Sequence, residues 1–194
     1  MTQAPPGTDA DVVERARSQP ERFADLFDRY YPTIHGYAAR RLGRDLADDI
    51  AAETFLVAFD RRHHYDTARP DARPWLYGIA ANLIARHGRA ERRYYRVLAR
   101  AAPEQAVDGL ADAVAVRLDA AAIRGRLAGA LATIAPPDRE VLLLVAWAGL
   151  NSQEVAAALD IPAGTARSRL HRARTAMRRA LSLDDPMRTT EVAP

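Results

Sequence analysis

The sequence predicts an all-α fold, with two helical domains joined by a flexible linker and a helix-turn-helix in the C-terminal domain. Three observations lead there. Apolar residues recur at helical intervals through most of the 194 residues, and no useful length of strand-like alternation interrupts them. Residues 152–174, SQEVAAALDIPAGTARSRLHRAR, read as a helix, a tight turn and a second helix. Arginines cluster at 86–100 and at 167–179, one segment in each half of the chain. Two separated basic helices suit two contacts with one polyanion.

Composition narrows the classes further. All 28 basic residues are arginine, the formal net charge is +3, and no cysteine is present. Disulfides and thiolate metal sites are therefore excluded. No signal peptide and no apolar run of membrane-spanning length appears; the longest apolar run, 141–148, suits a buried helix. The expectation is a soluble cytoplasmic protein without membrane insertion.

In chain order, residues 1–18 begin with a Pro/Gly/Thr-rich stretch and are expected to be a disordered tail. The first domain, 19–100, starts with a helix over 21–41 whose inner side carries Phe23, Leu26, Phe27, Tyr30 and Ile34, with Pro32 kinking or restarting it. A second helix spans about 45–60. A loop over 61–69 holds His63, His64 and Tyr65. Asp71 can cap a long third helix that tolerates Pro74 in its first turn, carries Trp75, Leu76, Ile79, Leu83 and Ile84, then turns basic. An acidic linker follows over 101–120, where Glu104, Asp108 and Asp112 replace the arginines. The second domain, 121–183, opens with an apolar pattern that Pro136 and Pro137 break. A short buried helix, a stop at Gly149 and the helix-turn-helix follow, and 184–194 form a loose tail.

Within the helix-turn-helix, Ser152 is the expected first cap, with Glu154 favourable to the dipole in the first turn. Pro162 blocks continuation and Gly164 tolerates a positive φ in the turn. Thr165 is the expected cap of the second helix. The stripe Ala166, Leu170, Ala173, Met177 and Leu181 packs inward and leaves Arg167, Arg169, Arg172 and Arg174 on other faces, with no acidic residue over 161–183.

These segments resemble the bacterial RNA polymerase sigma factors. DREVLLLVAWAGLNSQEVAAALDIPAGTARSRLHRARTAMRRAL is similar to their region 4, DLADDIAAETFLVAF at 45–59 to region 2.2, and RPWLYGIAANLIARHGRAERR at 73–93 to regions 2.3 and 2.4. Only a short linker separates the two, as in the extracytoplasmic-function (ECF) group, and the resemblance covers about residues 20–183. It implies a transcription initiation factor, not an enzyme, that directs core polymerase to promoters through minus-10 and minus-35 elements.

The resemblance implies a division of labour among residues. Asp45, Asp48, Asp49 and Glu53, at helical spacing, would dock on the β′ clamp helices, although such a face also suits plain solvation. The loop with His63, His64 and Tyr65 would hold a flipped minus-10 base by stacking and polar contacts. Asn82 can offer a donor and an acceptor to a base edge, and it could equally pack or cap. Arg86, Arg89, Arg92 and Arg93 would hold phosphates. Trp75 reads as core. Minus-35 readers would be Arg167, Ser168, His171 and Arg172 beside Thr165, since arginine matches the O6 and N7 acceptors of guanine. Arg169 and Arg174 would touch phosphate or pair with carboxylates. The apolar patch from Leu142 to Val145 could meet the β flap, or simply be core. An anti-sigma factor is a possible partner, and the two regions could dock together in the free protein. The linker would thread the polymerase cleft.

Other classes fare worse. A stand-alone helix-turn-helix regulator needs a sensing or dimerising element that the N-terminal half does not display. An enzyme needs a motif, and the Glu-x-x-His pairs of di-metal bundles, Gly-rich phosphate loops, G-x-S-x-G and H-E-x-x-H are all missing. His63 and His64 lack further ligands for a metal, so no cofactor is expected.

Overall fold

The Thr8 hydroxyl oxygen accepts a hydrogen bond from the amide of Asp11, and the Asp11 carboxylate accepts one from the amide of Thr8. This reciprocal cap starts a helix that the Pro/Gly-rich beginning of the chain conceals. The computed structural model describes residues 7–100 and 111–183, and the helix, α1 (Asp9–Ser18), buries Val12, Val13 and Ala16. The expectation of a disordered tail over 1–18 is thus corrected for residues 9–18, because Ala10, Val13 and Ala16 stand three apart and Val12 and Ala16 four apart, on one side of a helix. The C-terminal tail at 184–194 and the linker half at 101–110 lie outside the described residues.

A 3-10 turn (Pro20–Phe23) leads into α2 (Ala24–Leu42), which runs through Pro32 without restarting. Pro32 is exposed, so the backbone bond it forfeits leaves a carbonyl that water can satisfy. Gly43, at φ 88°, ends α2 in a conformation that side chains resist, and α3 (Arg44–Asp60) follows. A 3-10 turn (Arg62–His64) and a loop lead to α4 (Arg73–Arg86). The cap position of α4 falls to Ala72, which has no side-chain cap bond, rather than to the expected Asp71; Asp71, one residue earlier, accepts from the amide of Arg73. The long basic third helix is in fact two: it breaks at His87, and α5 (Gly88–Arg100) carries the arginines.

The second half consists of α6 (Ala111–Thr133), α7 (Pro136–Ala146), α8 (Ser152–Leu159) and α9 (Ala163–Leu183). Residues 111–120, expected in the linker, are the first turns of α6. Two details of the helix-turn-helix differ from expectation. The cap of α8 is Asn151, whose side chain accepts from the amides of Gln153 and Glu154 while Glu154 bonds back to its amide. The left-handed turn residue is Asp160, at φ 51°, rather than Gly164, and α9 already begins at Ala163, which puts Thr165 inside its first turn. Aspartate is among the few non-glycine residues that tolerate this conformation.

The core is continuous across both halves. Leu26, Ile34, Ile50 and Leu76 fill the first and Leu143, Leu144, Leu150 and Val155 the second, each contributing about 1.5–3 kcal/mol on burial. α4 packs on α8, and at their contact a β-carbon on Gly78 would clash with the carbonyl oxygen of Ala158. Beside that contact lies a buried charge cluster. Arg41 of α2 bonds Glu91 of α5 at 2.6 Å and both carboxylate oxygens of Glu140 of α7 at 2.6 and 2.7 Å. Arg139 reaches the other oxygen of Glu91 at 2.7 Å, and the Tyr37 hydroxyl donates to Glu140. Burial opposes the charge on Arg41, but Tyr37, Glu140 and Glu91 outweigh it and raise its pKa.

Candidate nucleic-acid interface

The basic surface of the first half is made by helical spacing and by where its one acid points. Arg89, Arg92, Arg93 and Arg96 recur at three- and four-residue steps on α5 and are exposed. Glu91, in their midst, is buried against Arg41 and Arg139 and so leaves the outward face purely basic. Arg86, at the end of α4, is exposed and lies 3.6 Å from Glu53 of α3.

The predicted base-contacting loop is only partly as expected. His63 and His64 are exposed at the 3-10 turn. Tyr65 is 5 % exposed; its ring packs on Trp75 at 4.9 Å and its hydroxyl donates to the carbonyl of Arg69. A base cannot stack on a face already covered, so in this conformation Tyr65 supports the loop from beneath. Burial, followed by the nearby carboxylates of Asp9 and Asp71, pushes its pKa up and keeps that hydroxyl a donor. Trp75, expected as core, is half-buried at the same contact.

On α9, Ala166, Leu170 and Ala173 are buried, which turns Arg167, Ser168, His171, Arg172 and Arg174 outward. Ser168 donates to the carbonyl of Thr165. Arg172 forms a two-pronged pair with Asp138 of α7, at 2.8 and 2.9 Å, and this hydrogen bonding raises its pKa. An open groove of about 720 Å³ runs along α9, with Leu142, Leu170 and Met177 at its base and Arg167, Arg174 and Arg178 on its rim. Leu142 and Val145 are half-buried, and their neighbours Val141, Leu143 and Leu144 are core.

The two basic elements are not independent. Asn82, exposed on α4, and Arg169, half-buried on α9, line one cavity of about 250 Å³ between the halves. Along α3, Asp45, Asp48, Asp49 and Glu53 are exposed, and the row reaches the basic surface where Glu53 meets Arg86. Asp48 accepts from the Tyr31 hydroxyl at 3.3 Å, and His35 Nε2 lies 3.1 Å away. Leu56, one turn beyond Glu53, is 61 % exposed, and Phe27 stands exposed on the neighbouring helix. Sequence reading missed Leu56 because the helical pattern alone does not tell an outward leucine from a core one. It also missed the cross-half cluster, whose charges look like ordinary surface residues.

Comparison with known proteins agrees with this layout. Residues 26–94 match the family described as Sigma-70 region 2, and residues 124–177 match Sigma-70, region 4. The chain is 34 % identical over 178 residues to the ECF RNA polymerase sigma factor SigL of Mycobacterium tuberculosis, spanning 89 % of this chain and 96 % of that one. It is 36 % identical over 144 residues to SigC of the same species, spanning 72 % of each. Among solved structures, CnrH in complex with the cytosolic domain of CnrY aligns at TM-score 0.62 and 24 % identity, over 91 % of this chain and 99 % of that one. RpoE of Bartonella quintana, in complex with the anti-sigma factor NepR, aligns at TM-score 0.56 and 21 % identity, over 84 % and 98 %. At those identities the two structures speak for the fold.

Proposed function

Since the chain belongs to the ECF RNA polymerase sigma factors, promoter-recognising transcription initiation factors, we propose how its own residues divide that work. Arg167, Ser168, His171 and Arg172 read the minus-35 element from the outward face of α9, with Thr165, Arg169 and Arg174 flanking them. His63, His64 and Asn82 meet the minus-10 strand as it separates, and Arg86, Arg89, Arg92 and Arg93 hold its phosphates. Tyr65 serves this second group from below, as a support.

Asp45, Asp48, Asp49 and Glu53, with Leu56 beside them, dock on the clamp helices of the β′ subunit. An acidic face with an exposed apolar side chain suits a basic partner that also buries area. In the apolar patch at 142–145, the half-buried Leu142 and Val145 of α7 are the candidates for the β flap. The protein makes and breaks no bonds itself and works in the cytoplasm beside the polymerase; no described helix is long and apolar enough to cross a membrane. An anti-sigma factor is a further proposed partner, supported by the solved relative RpoE, which was captured with the anti-sigma factor NepR.

The observation that carries this reading is the pair of outward basic faces, on α5 and α9, each helix beginning within one matched region. The test is in-vitro transcription with core polymerase on a fragmented genomic library, with and without the protein. New start sites sharing two elements at fixed spacing are expected; duplex binding without new starts would favour a stand-alone regulator. On a promoter found that way, Arg172→Ala should weaken binding by about 1–3 kcal/mol and relax the minus-35 preference. Equal loss on scrambled DNA would move Arg172 to phosphate. Reversing the charges of Asp48 and Asp49 should weaken core binding alone, and unchanged core affinity would remove that face from the interface.

A further inference from the structure

Helix α1 precedes the segment that matches region 2, and nothing above gives it a role. Its apolar face explains why it packs. It does not explain where its polar groups go, which is to the backbone of the 61–72 loop at both ends. At the N-terminal end Asp9 is 4 % exposed, and its carboxylate accepts from the Ala72 amide at 2.8 Å and from the Tyr30 hydroxyl at 2.7 Å. It also pairs with Arg29, and its own amide donates to the carbonyl of Pro70. At the C-terminal end Arg17 donates to the carbonyl of Tyr65 at 2.9 Å, and Arg62 donates back to the carbonyl of Ala16 at 3.0 Å.

The ties therefore bracket the loop. Arg62 and Tyr65 are held at one side and Pro70 and Ala72 at the other, while His63, His64 and residues 66–69 stand exposed near or between them. Most of these bonds engage loop backbone, so they fix the loop's shape whatever its exposed side chains are. A loop that must catch an unstacked base gains affinity and discrimination when its shape is set beforehand.

We propose that α1 is a positioning element for minus-10 recognition, with Asp9 and Arg17 as the residues that hold the 61–72 loop in its base-accepting shape. The inference rests on the proposed role of that loop. The two residues need not touch the DNA; they act through the loop backbone.

The test uses the full chain with core polymerase and a promoter located by the transcription mapping. Holoenzyme binding is measured on fork DNA whose non-template minus-10 strand is single, with each of its bases varied in turn. Three controls accompany it: core-polymerase affinity, binding to a duplex carrying only the minus-35 element, and thermal unfolding. Arg17→Ala and Asp9→Asn should weaken fork binding about tenfold, as loss of charged hydrogen bonds at a fixed loop would. They should also flatten the base preference at the captured position and leave core affinity and minus-35 duplex binding unchanged, while Asp9→Asn, which breaks a buried pair, lowers the unfolding temperature. Arg17→Lys, which can still reach the Tyr65 carbonyl, should restore most of the preference.

Retained fork affinity and base preference in Arg17→Ala and Asp9→Asn would overturn the proposal. A loss shared equally by core binding and unfolding temperature, with no change in base preference, would also overturn it and leave α1 a packing element. The double variant His63→Ala/His64→Ala separates this failure from failure of the loop reading. If the double variant loses fork binding while the α1 variants do not, only the positioning role falls. If neither matters, the loop itself does not meet the base.

Discussion

Arg172 shows how one residue can be legible in kind and hidden in state. Its place on the outward side of α9 follows from the inward stripe of Ala166, Leu170 and Ala173, and the sequence displays that stripe. Its two-pronged pairing with Asp138, 34 residues earlier and on another helix, is not written in any local pattern. The pair gives the guanidinium a fixed plane, which a bidentate contact to guanine can use, and a competitor, which a phosphate must displace. Asp138→Ala should therefore raise binding to non-specific duplex and reduce the ratio of promoter to scrambled binding. The salt dependence of the non-specific complex should steepen by roughly one phosphate contact. Titrating duplex binding across a range of salt concentrations checks this, and an unchanged slope would mean that Arg172 stays away from phosphate. Tyr65 makes the complementary point. Sequence identifies an aromatic ring in the loop, but only tertiary packing on Trp75 reveals that the ring is covered.

At the scale of elements, helices were legible wherever an apolar stripe was uninterrupted, and their ends were less so. The ends depend on side chains competing for the same few amides, and two neighbours can both qualify. Asn151 and Ser152 are such a pair: both are good caps, and Asn151 wins because Glu154 lies three residues on and returns a bond to it. Asn151→Ala should then cost about 1 kcal/mol and lower the unfolding temperature by about 2–4 °C, while Ser152→Ala should be nearly neutral. Calorimetry of the two variants decides between them; a larger loss for Ser152→Ala would restore the cap to that residue. α1 was legible in the same terms, since Thr8 and Asp11 carry a capping-box spacing ahead of Val12, Val13 and Ala16. The composition of the first residues drew attention away from it. The break at His87 had a weaker signal, a glycine next to a histidine inside a basic run, and nothing local dictates a break there.

At the scale of the molecule, the two halves meet through charges that had no visible partners in the sequence. Arg41 finds Glu140 99 positions away, and Glu91 finds Arg139 48 positions away, both pairs crossing between the halves. Removing one member of such a buried pair typically costs about 3–5 kcal/mol, but parting both members into water together costs far less, because each regains its hydration. A seam made of balanced charge can thus hold firmly and still open. It has to open for promoter binding on the reading proposed above. Asn82 and Arg169 line a single cavity, whereas two separate elements on a duplex stand a helical turn or more apart, at least about 34 Å. The docked arrangement is then a state of the free chain, and promoter affinity is reduced by the fraction of molecules held in it. Gly78→Ala tests this without touching a charge. Its new β-carbon meets the Ala158 carbonyl of α8, a backbone atom that cannot rotate aside, so α8 must move off α4. Fluorescent labels on α2 and α9 should report a longer distance in the free variant than in the wild type, and a distance close to that of the wild-type holoenzyme. Fork-DNA affinity of the variant holoenzyme should be no lower than wild type. If the wild-type distance were the same free and on polymerase, the seam would be a permanent part of the fold, and the two elements could not be read by the residues assigned to them.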